Sequence, residues 1–302
     1  MPSAEAEISP FLKARRAALD PAALGLPGGL HRRRVRGLRR EEVAQLAGIS
    51  VDYYTRIEQG RAPAISDAVL DALAEALRLT GGETAYLRNL AARGRRAPDA
   101  QGPAAGTVRP EVRQLLHAMD GAVPAMVVGR GLDLLAWNTL GGRIVFDLDA
   151  VAPERRNSAL LVFLDPAARA LHQDWDRVAE QVVGTLRAES GRYPGDPRIG
   201  AVVAELLDRS PEFRTAWEAQ AVSECRYGVK RVVHPWAGPL DLTFESLRLS
   251  EEDDQTLVTY SAPPGSPTES RLRELARAVA ATAGPGPGEA SGAASGERVP
   301  AA

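Results

Sequence analysis

The sequence predicts an α-helical domain of five helices followed by an α+β domain with a five-stranded antiparallel sheet and inserted helices. Apolar residues recur at helical spacing in the N-terminal region, whereas β-branched and alternating apolar residues mark later segments. A stretch rich in Pro, Gly and Ala, residues 98–107, reads as a linker between them. The 302 residues suffice for two domains that each bury a core.

Residues 1–97 are predicted to form the helical domain. Ser9 and Pro10 suit the cap and first turn of its first helix, and Ser66 suits the cap of a later one. Between these lie two short helices separated only by Gly48, Ile49 and Ser50. We expect Gly48 to supply the unusual backbone angles of this turn, Ser50 to cap the second helix and Gly60 to end it.

This arrangement sorts the side chains of the two short helices into an inner and an outer set. The inner set, expected to pack on a shared core, is Val43, Leu46, Ile49, Tyr54 and Ile57. The outer set, on the second helix, is Val51, Asp52, Thr55 and Arg56. Six arginines lie within residues 31–40, so a basic surface borders these helices.

Residues 108–267 are predicted to form the α+β domain, and residues 268–302 a short helix with a disordered tail. Two strands are expected within residues 125–137 and three more over 228–234, 239–249 and 255–260. In the fourth strand Leu240, Leu242 and Phe244 alternate with polar residues, which indicates one buried face. Helices fill the middle, the longest starting at Asp165 and another capped by Ser210.

The net charge of −2 conceals an asymmetry between the two regions. Residues 1–97 hold 16 basic and 11 acidic residues, whereas the remainder holds 21 and 28. A basic N-terminal region suggests a polyanionic partner. One cysteine, with no signal peptide and no long apolar run, predicts a cytoplasmic protein that does not enter a membrane.

Candidate catalytic and metal-binding groups are sparse. The four histidines and the cysteine lack metal-ligand spacing, and no G-x-S-x-G motif occurs. His234 is suited to general-base chemistry, but a hydrogen-bonded structural histidine is the alternative. We therefore expect no enzyme, no bound metal and no required cofactor.

The turn glycine, serine cap and the Ile-Glu-Gln-Gly ending at Gly60 resemble the helix-turn-helix of the lambda-repressor-like (Cro/Xre) family. The resemblance implies a recognition helix in the DNA major groove, bound as a homodimer on a palindromic operator. Base contacts are then expected from Val51, Asp52, Thr55 and Arg56. Phosphate contacts are expected from Arg32, Arg33, Arg34, Arg36, Arg40, Ser50 and Arg61.

The phrases Leu134-Leu-Ala-Trp-Asn138, Ser210-Pro-Glu-Phe213 and His234-Pro-Trp-Ala-Gly238 resemble the ligand-binding domain of MmyB-like transcription regulators. That family's domain order also places a helix-turn-helix in front. The resemblance implies a PAS-like fold that holds a fatty-acyl or similarly greasy ligand. The pair Trp236-Ala237 departs from the smaller or acidic residue and valine expected there, which alters one corner of the implied pocket.

Aromatic residues in this domain could line a cavity, and a cation or amide at one end could bind a ligand carboxylate. The predicted ligand-binding residues are Trp137, Asn138, Phe163, Trp175, Arg226, Lys230, His234 and Phe244. The function predicted is a DNA-binding transcription regulator that senses a small hydrophobic ligand. The alternatives are a constitutive regulator whose C-terminal domain only dimerises or docks a protein and, less favoured, a DNA-binding enzyme.

Overall fold

A computed structural model describes residues 4–26, 37–62, 64–92, 106–223, 226–250 and 254–282. Within these ranges the chain forms a helical N-terminal domain and an α+β C-terminal domain, so the predicted fold class is confirmed. The predicted tail, residues 283–302, and residues 98–105 of the predicted linker lie outside the described residues.

The N-terminal domain has the five predicted helices. They are α1 (Ala4–Ala18), α2 (Arg40–Leu46), α3 (Val51–Glu58), α4 (Asp67–Ala76) and α5 (Gly81–Ala92). Their apolar faces close around side chains with no exposed surface, namely Phe11, Leu12, Leu38, Val43, Tyr54, Ile57, Leu73 and Leu87. Burial of this kind, rather than helix propensity, stabilises helices as short as α2 and α3.

The start of α1 differs from the prediction at Ser9 and Pro10. The helix begins at Ala4, and Pro10 lies inside it. An internal proline removes one backbone hydrogen bond and costs about 3 kcal/mol. Ile8, in the part of α1 that precedes the proline, is buried in the core, and its burial offsets part of that cost.

The C-terminal domain contains the predicted five-stranded antiparallel sheet. Its strands are β1 (Ala125–Val128), β2 (Leu134–Trp137), β3 (Tyr227–His234), β4 (Gly238–Arg248) and β5 (Thr256–Ser261). Their spatial order is β2-β1-β5-β4-β3. The alternation of β4 is confirmed, because Leu240, Leu242 and Phe244 are buried while the residues between them are exposed.

Seven helices accompany this sheet in the described residues. They are α6 (Pro110–Ala118), α7 (Ser158–Leu164), α8 (Ala168–Leu171), α9 (Trp175–Arg192), α10 (Pro197–Arg209), α11 (Pro211–Glu218) and α12 (Pro267–Thr282). Helices α7 to α11 lie between β2 and β3 in the chain, as predicted. The cap predicted at Ser210 is confirmed, because its hydroxyl accepts from the Phe213 N–H at 3.1 Å.

The long helix predicted from Asp165 is wrong in its boundary, since the chain divides it into α8 and α9. His172 forms a bridge with Val232 of β3, and the Gln173 N–H donates to the Arg231 carbonyl at 3.1 Å. These two residues thus pair with the edge of β3 instead of continuing the helix. The pairing covers part of an otherwise open strand edge.

Each face of the sheet is covered by different helices. Leu272 and Leu275 of α12 are buried on the face that carries Leu242. On the opposite face, Val112 of α6 packs with a buried cluster that includes Val127. Helix α12 is therefore part of the C-terminal domain, and the predicted domain boundary at residue 267 falls at its first residue.

No helix in the described ranges is long and apolar enough to cross a membrane.

Asn157 joins the helical insertion to the sheet and offers a test of the fold. It is fully buried, caps α7 by accepting from the Ala159 and Leu160 N–H groups, and donates to Asp133 and to the Gly131 carbonyl. Asn157→Ala removes the cap of α7 and the amide that binds the Gly131 carbonyl, and it should lower the free energy of unfolding by about 2–4 kcal/mol.

Urea titration followed by circular dichroism measures this loss. Ser66→Ala, which removes the exposed cap of α4, is the matched control and should cost no more than about 1 kcal/mol. Equal losses in the two variants would contradict a bridging role for Asn157.

Candidate functional site

The break between α2 and α3 has the predicted backbone. Gly48 lies at φ +65°, in the left-handed region, and the Ser50 hydroxyl accepts from the Tyr53 N–H at 3.1 Å. Gly60 ends the second helix at φ +72°. The turn therefore ends α2 and starts α3 within a few residues, and the outer face of α3 is exposed.

One inner residue of the pair was predicted wrongly. Leu46 is 41% exposed, and Ala47, one residue further on, occupies the buried position instead. Val43, Tyr54 and Ile57 are fully buried, as predicted.

The outer face of α3 presents the four predicted base-contact residues. Val51 is 42% exposed, Asp52 and Arg56 are exposed and Thr55 is half-buried. Within the described residues the Arg56 guanidinium has no hydrogen-bond or ion-pair partner. An exposed arginine without a partner keeps all its donors available to a base edge or a phosphate.

Behind this face lies a buried carboxylate that the sequence reasoning missed. Glu58 is fully buried at the end of α3 and accepts from Arg16 Nε of α1 at 2.8 Å and Arg40 Nε of α2 at 2.7 Å. The Tyr54 hydroxyl also donates to it, at 3.0 Å. This cluster of Arg16, Arg40, Tyr54 and Glu58 fixes the position of α3 against α1 and α2.

The cluster also sets the ionisation of its members. Burial would raise the pKa of Glu58, but the hydrogen bonds and charges of Arg16 and Arg40 hold that pKa below its ordinary value of 4.5. Burial, together with the Glu58 carboxylate, raises the pKa of Tyr54, so Tyr54 remains a neutral donor.

The predicted phosphate contacts have different surroundings. Arg40 is held by Glu58, although 41% of its side chain stays exposed. The Ser50 hydroxyl serves as the cap of α3, and Arg61 is exposed just beyond Gly60. The remaining four, Arg32, Arg33, Arg34 and Arg36, lie outside the described residues.

A cavity of about 250 Å³ lies in the C-terminal domain between the sheet and α9. This volume is slightly below the range of roughly 300–1,000 Å³ typical of small-molecule pockets. Its apolar lining is Met126, Val128, Leu132, Val178, Val182, Ala188, Phe244, Val258 and Tyr260. Its polar lining is Ser158, Gln181, Thr185, Glu189, Arg192, Arg226, Lys230, Ser246, Arg248, Asp254 and Thr256.

Three predicted ligand-binding residues, Arg226, Lys230 and Phe244, line this cavity. The Lys230 ammonium lies 5.3 Å from the centre of the Phe244 ring and 3.5 Å from the Tyr260 hydroxyl. Within the described part of the chain no carboxylate forms an ion pair with Lys230. The Lys230 ammonium therefore lies beside the rings of Phe244 and Tyr260, on an apolar part of the cavity wall.

His172 lies buried near this cation. Burial, followed by the positive charge of Lys230, lowers the pKa of the His172 imidazole to about 4. Its ring is therefore neutral at pH 7 and adds no charge beside Lys230.

Three other predicted ligand-binding residues do not line the cavity. The Trp137 indole donates to Asp149, and the Asn138 amide holds the backbone at residues 123, 125 and 141. His234 accepts from the Trp236 and Ala237 N–H groups in the β3–β4 turn. Each of these side chains has a structural partner.

Phe163 and Trp175 also lie elsewhere, in the helical part of the insertion. Their rings meet edge to face at 5.6 Å, and Phe163 meets Phe213 at 5.2 Å. They belong to a second core, because helical spacing of aromatic residues describes a packed core as well as a pocket. Among the described residues no group of His, Cys, Asp and Glu could hold a metal ion.

Comparison with known families agrees with both predicted resemblances. Residues 108–275, more than half of the chain, match the family model for the MmyB-like transcription regulator ligand binding domain. Residues 11–87 match the model for a helix-turn-helix domain. No curated protein matches the chain.

The Glu58 cluster leads to a pH prediction. Because the folded-state pKa of Glu58 is below 4.5, its ionised form stabilises the N-terminal domain above that pH. The stabilisation is lost as the pH falls through the folded-state pKa. Glu58→Gln should abolish this dependence and cost about 3 kcal/mol at pH 7, since it leaves two arginines without their carboxylate.

Calorimetric unfolding between pH 3 and 7 measures both effects. Glu75→Gln, at an exposed glutamate of α4, is the matched control and should follow the unmodified chain. If Glu58→Gln gave the same pH profile as the unmodified chain, the carboxylate would not stabilise the fold in this way.

Proposed function

Since this chain belongs to the family of MmyB-like transcription regulators, and is a DNA-binding regulator with a ligand-binding domain, we propose that it responds to a fatty acid or a similar amphiphilic anion. The observation that supports this most is the cavity whose apolar wall carries the Lys230 ammonium. The function requires no catalysis and no metal.

The DNA-reading half of the proposal rests on the outer face of α3. Arg56 is suited to guanine, whose O6 and N7 accept a bidentate pair of hydrogen bonds, and Asp52 is suited to cytosine N4. Val51 is suited to a thymine methyl group. Arg61, exposed after the helix, is suited to contact a phosphate.

We further propose that two chains bind a palindromic operator as a homodimer. One recognition helix reads only a few base pairs, and helix-turn-helix domains gain affinity by occupying two half-sites one helical turn apart. On this proposal the homodimer, rather than the single chain, is the unit that recognises the operator.

The ligand half of the proposal follows from the two kinds of cavity wall. Each methylene group buried against residues such as Met126, Val178 and Val258 stabilises the complex by about 0.8 kcal/mol. The Lys230 ammonium can then donate a charge-assisted hydrogen bond to a carboxylate at the head of the chain. Phe244 and Tyr260 would hold that ammonium in place.

A second candidate function is a constitutive regulator whose C-terminal domain only dimerises. It is favoured by exposed apolar side chains on β3 and its turn, where Tyr227 is 73% and Trp236 59% exposed. Val229 and Val233 extend the same surface. Exposed apolar patches of this kind mark association surfaces. Ligand binding in the cavity distinguishes the two functions.

The base-reading role of Arg56 is tested with an operator selected from random duplexes by the intact chain. Arg56→Ala should weaken binding to that operator by about 1–3 kcal/mol, or about 5- to 150-fold in Kd, and relax one base preference. Fluorescence anisotropy titrations provide the measurement.

Lys13→Ala removes the same charge from an exposed position of α1 and is the matched control. It should leave the base preference unchanged. An equal loss on all duplexes after Arg56→Ala would reassign Arg56 to phosphate contact.

The ligand role of Lys230 is tested with dodecanoate and the uncharged dodecanol. Lys230→Met should weaken dodecanoate binding about tenfold or more and leave dodecanol binding little changed, because only the carboxylate uses the ammonium. Isothermal titration calorimetry measures both affinities.

Arg231→Met changes an exposed cation on the opposite face of β3 and should preserve dodecanoate affinity. If neither compound bound the unmodified chain, the dimerisation function would be favoured. Equal weakening of dodecanoate and dodecanol would mean that Lys230 shapes the wall without pairing with a carboxylate.

A further inference from the structure

Helix α9 has one face on the ligand cavity and another on the N-terminal domain. Val178, Val182 and Thr185 line the cavity. Ala188, one turn further on, lines the cavity and also packs against the core of the N-terminal domain. The Ala188 side chain thus contacts both the space for a ligand and the core of the N-terminal domain.

The contact beyond Ala188 is close and specific. Tyr86 of α5, 1% exposed, lies directly on Gly191 of α9. A Cβ atom on Gly191 would approach the Tyr86 Cδ2 atom to 2.4 Å, so the ring occupies the space that any other side chain would fill. The Tyr86 hydroxyl also interacts with Arg187 of α9.

Polar contacts fix the same interface. Arg187 is 2% exposed and donates to Gln220 Oε1 at 2.9 Å and to the Trp217 carbonyl. From the other domain, Arg15 of α1 donates to the Gln220 carbonyl at 3.3 Å and pairs with Glu83 of α5. Separating a buried charge from its hydrogen-bond partners is costly, so this interface tolerates little displacement.

The C-terminal domain docks on α1 and α5, whereas the outer face of α3 stays exposed. A ligand therefore has no need to uncover the recognition helix in this arrangement. It can act instead on the orientation of the N-terminal domain, which decides whether two α3 helices match two half-sites.

We propose that α9 couples the cavity to the N-terminal domain: a filled cavity braces the wall at Ala188 and strengthens the docking of α5 on α9. This regulation rests on the proposed ligand function. Coupling is reciprocal, so docking of the N-terminal domain strengthens ligand binding by the same factor by which the ligand strengthens docking. The ligand acts by holding the N-terminal domain in one orientation relative to α9.

Amide hydrogen exchange of the full chain, with and without saturating dodecanoate, tests the coupling. Helix α5 lies outside the cavity lining, so direct contact with the lipid cannot protect it. We expect exchange over residues 81–92 to slow at least threefold with dodecanoate. In Gly191→Ala, whose new methyl group displaces Tyr86, this protection should vanish while β4 and β5 remain protected.

Glu180→Ala, at an exposed position of α9 outside the cavity lining, is the matched control and should keep the protection of α5. If dodecanoate protected β4 and β5 but left α5 unchanged in the unmodified chain, the coupling would be overturned and the ligand function would stand.

Two variants test the coupling without any ligand. Ser246→Phe and Val258→Phe place a ring in the cavity from the sheet side, facing α9. Either one should slow exchange in α5, provided that the protection of β3 to β5 shows an intact sheet. Should dodecanoate fail to bind, the ligand function fails, and these variants alone decide the coupling. An unchanged α5 in both would overturn it.

Discussion

Helix α9 packs against the sheet cavity, the helical core of the insertion and the N-terminal domain, and the rest of the molecule is arranged around that constraint. Leu186 is fully buried in the helical core, Val182 lines the cavity and Ala188 reaches the N-terminal domain. Three neighbours around one helix leave room only for small residues at the closest approaches. Gly184, where a Cβ atom would lie 2.6 Å from that of Ser223, and Gly191 provide it.

The charged groups of the interior follow a common rule. Glu58 has two arginines and a tyrosine hydroxyl, and Arg187 has an amide and a carbonyl oxygen. Removing any of these charges from water is costly, and the hydrogen bonds offset that cost only in one geometry. Both clusters therefore fix the orientation of a helix. The Glu58 cluster orients α3 within the N-terminal domain, and the Arg187 cluster orients α9 against Trp217 and Gln220.

Local patterns predicted much of the fold. The alternation of Leu240, Leu242 and Phe244 identified β4, and the glycines at 48 and 60 identified the turn and the end of α3, because each reports a backbone preference of its own neighbourhood. The break between α8 and α9 could not be predicted in this way. It depends on a pairing between His172 and Val232, 60 residues further along the chain.

The candidate sites were harder to predict from the sequence than the fold, because they too depend on contacts between residues that are distant along the chain. Phe163 and Trp175 were chosen because they are aromatic and regularly spaced, yet their rings pack on each other, away from the cavity. Met126 and Val258, which line it, look like ordinary strand residues in the sequence. Glu58 carried a weak signal, since it follows the buried Tyr54 by one helical turn, but its arginine partners lie on two other helices.

The strand order β2-β1-β5-β4-β3 also determines the order in which the sheet can form during synthesis of the chain. Hairpins β1–β2 and β3–β4 join neighbouring segments and can form early, but β5, the central strand that connects them, is the last to leave the ribosome. Until then each hairpin exposes an unpaired edge. The N-terminal domain, with its short-range contacts, completes its fold well before. A nascent chain therefore completes its helix-turn-helix domain before the cavity of the C-terminal domain can form.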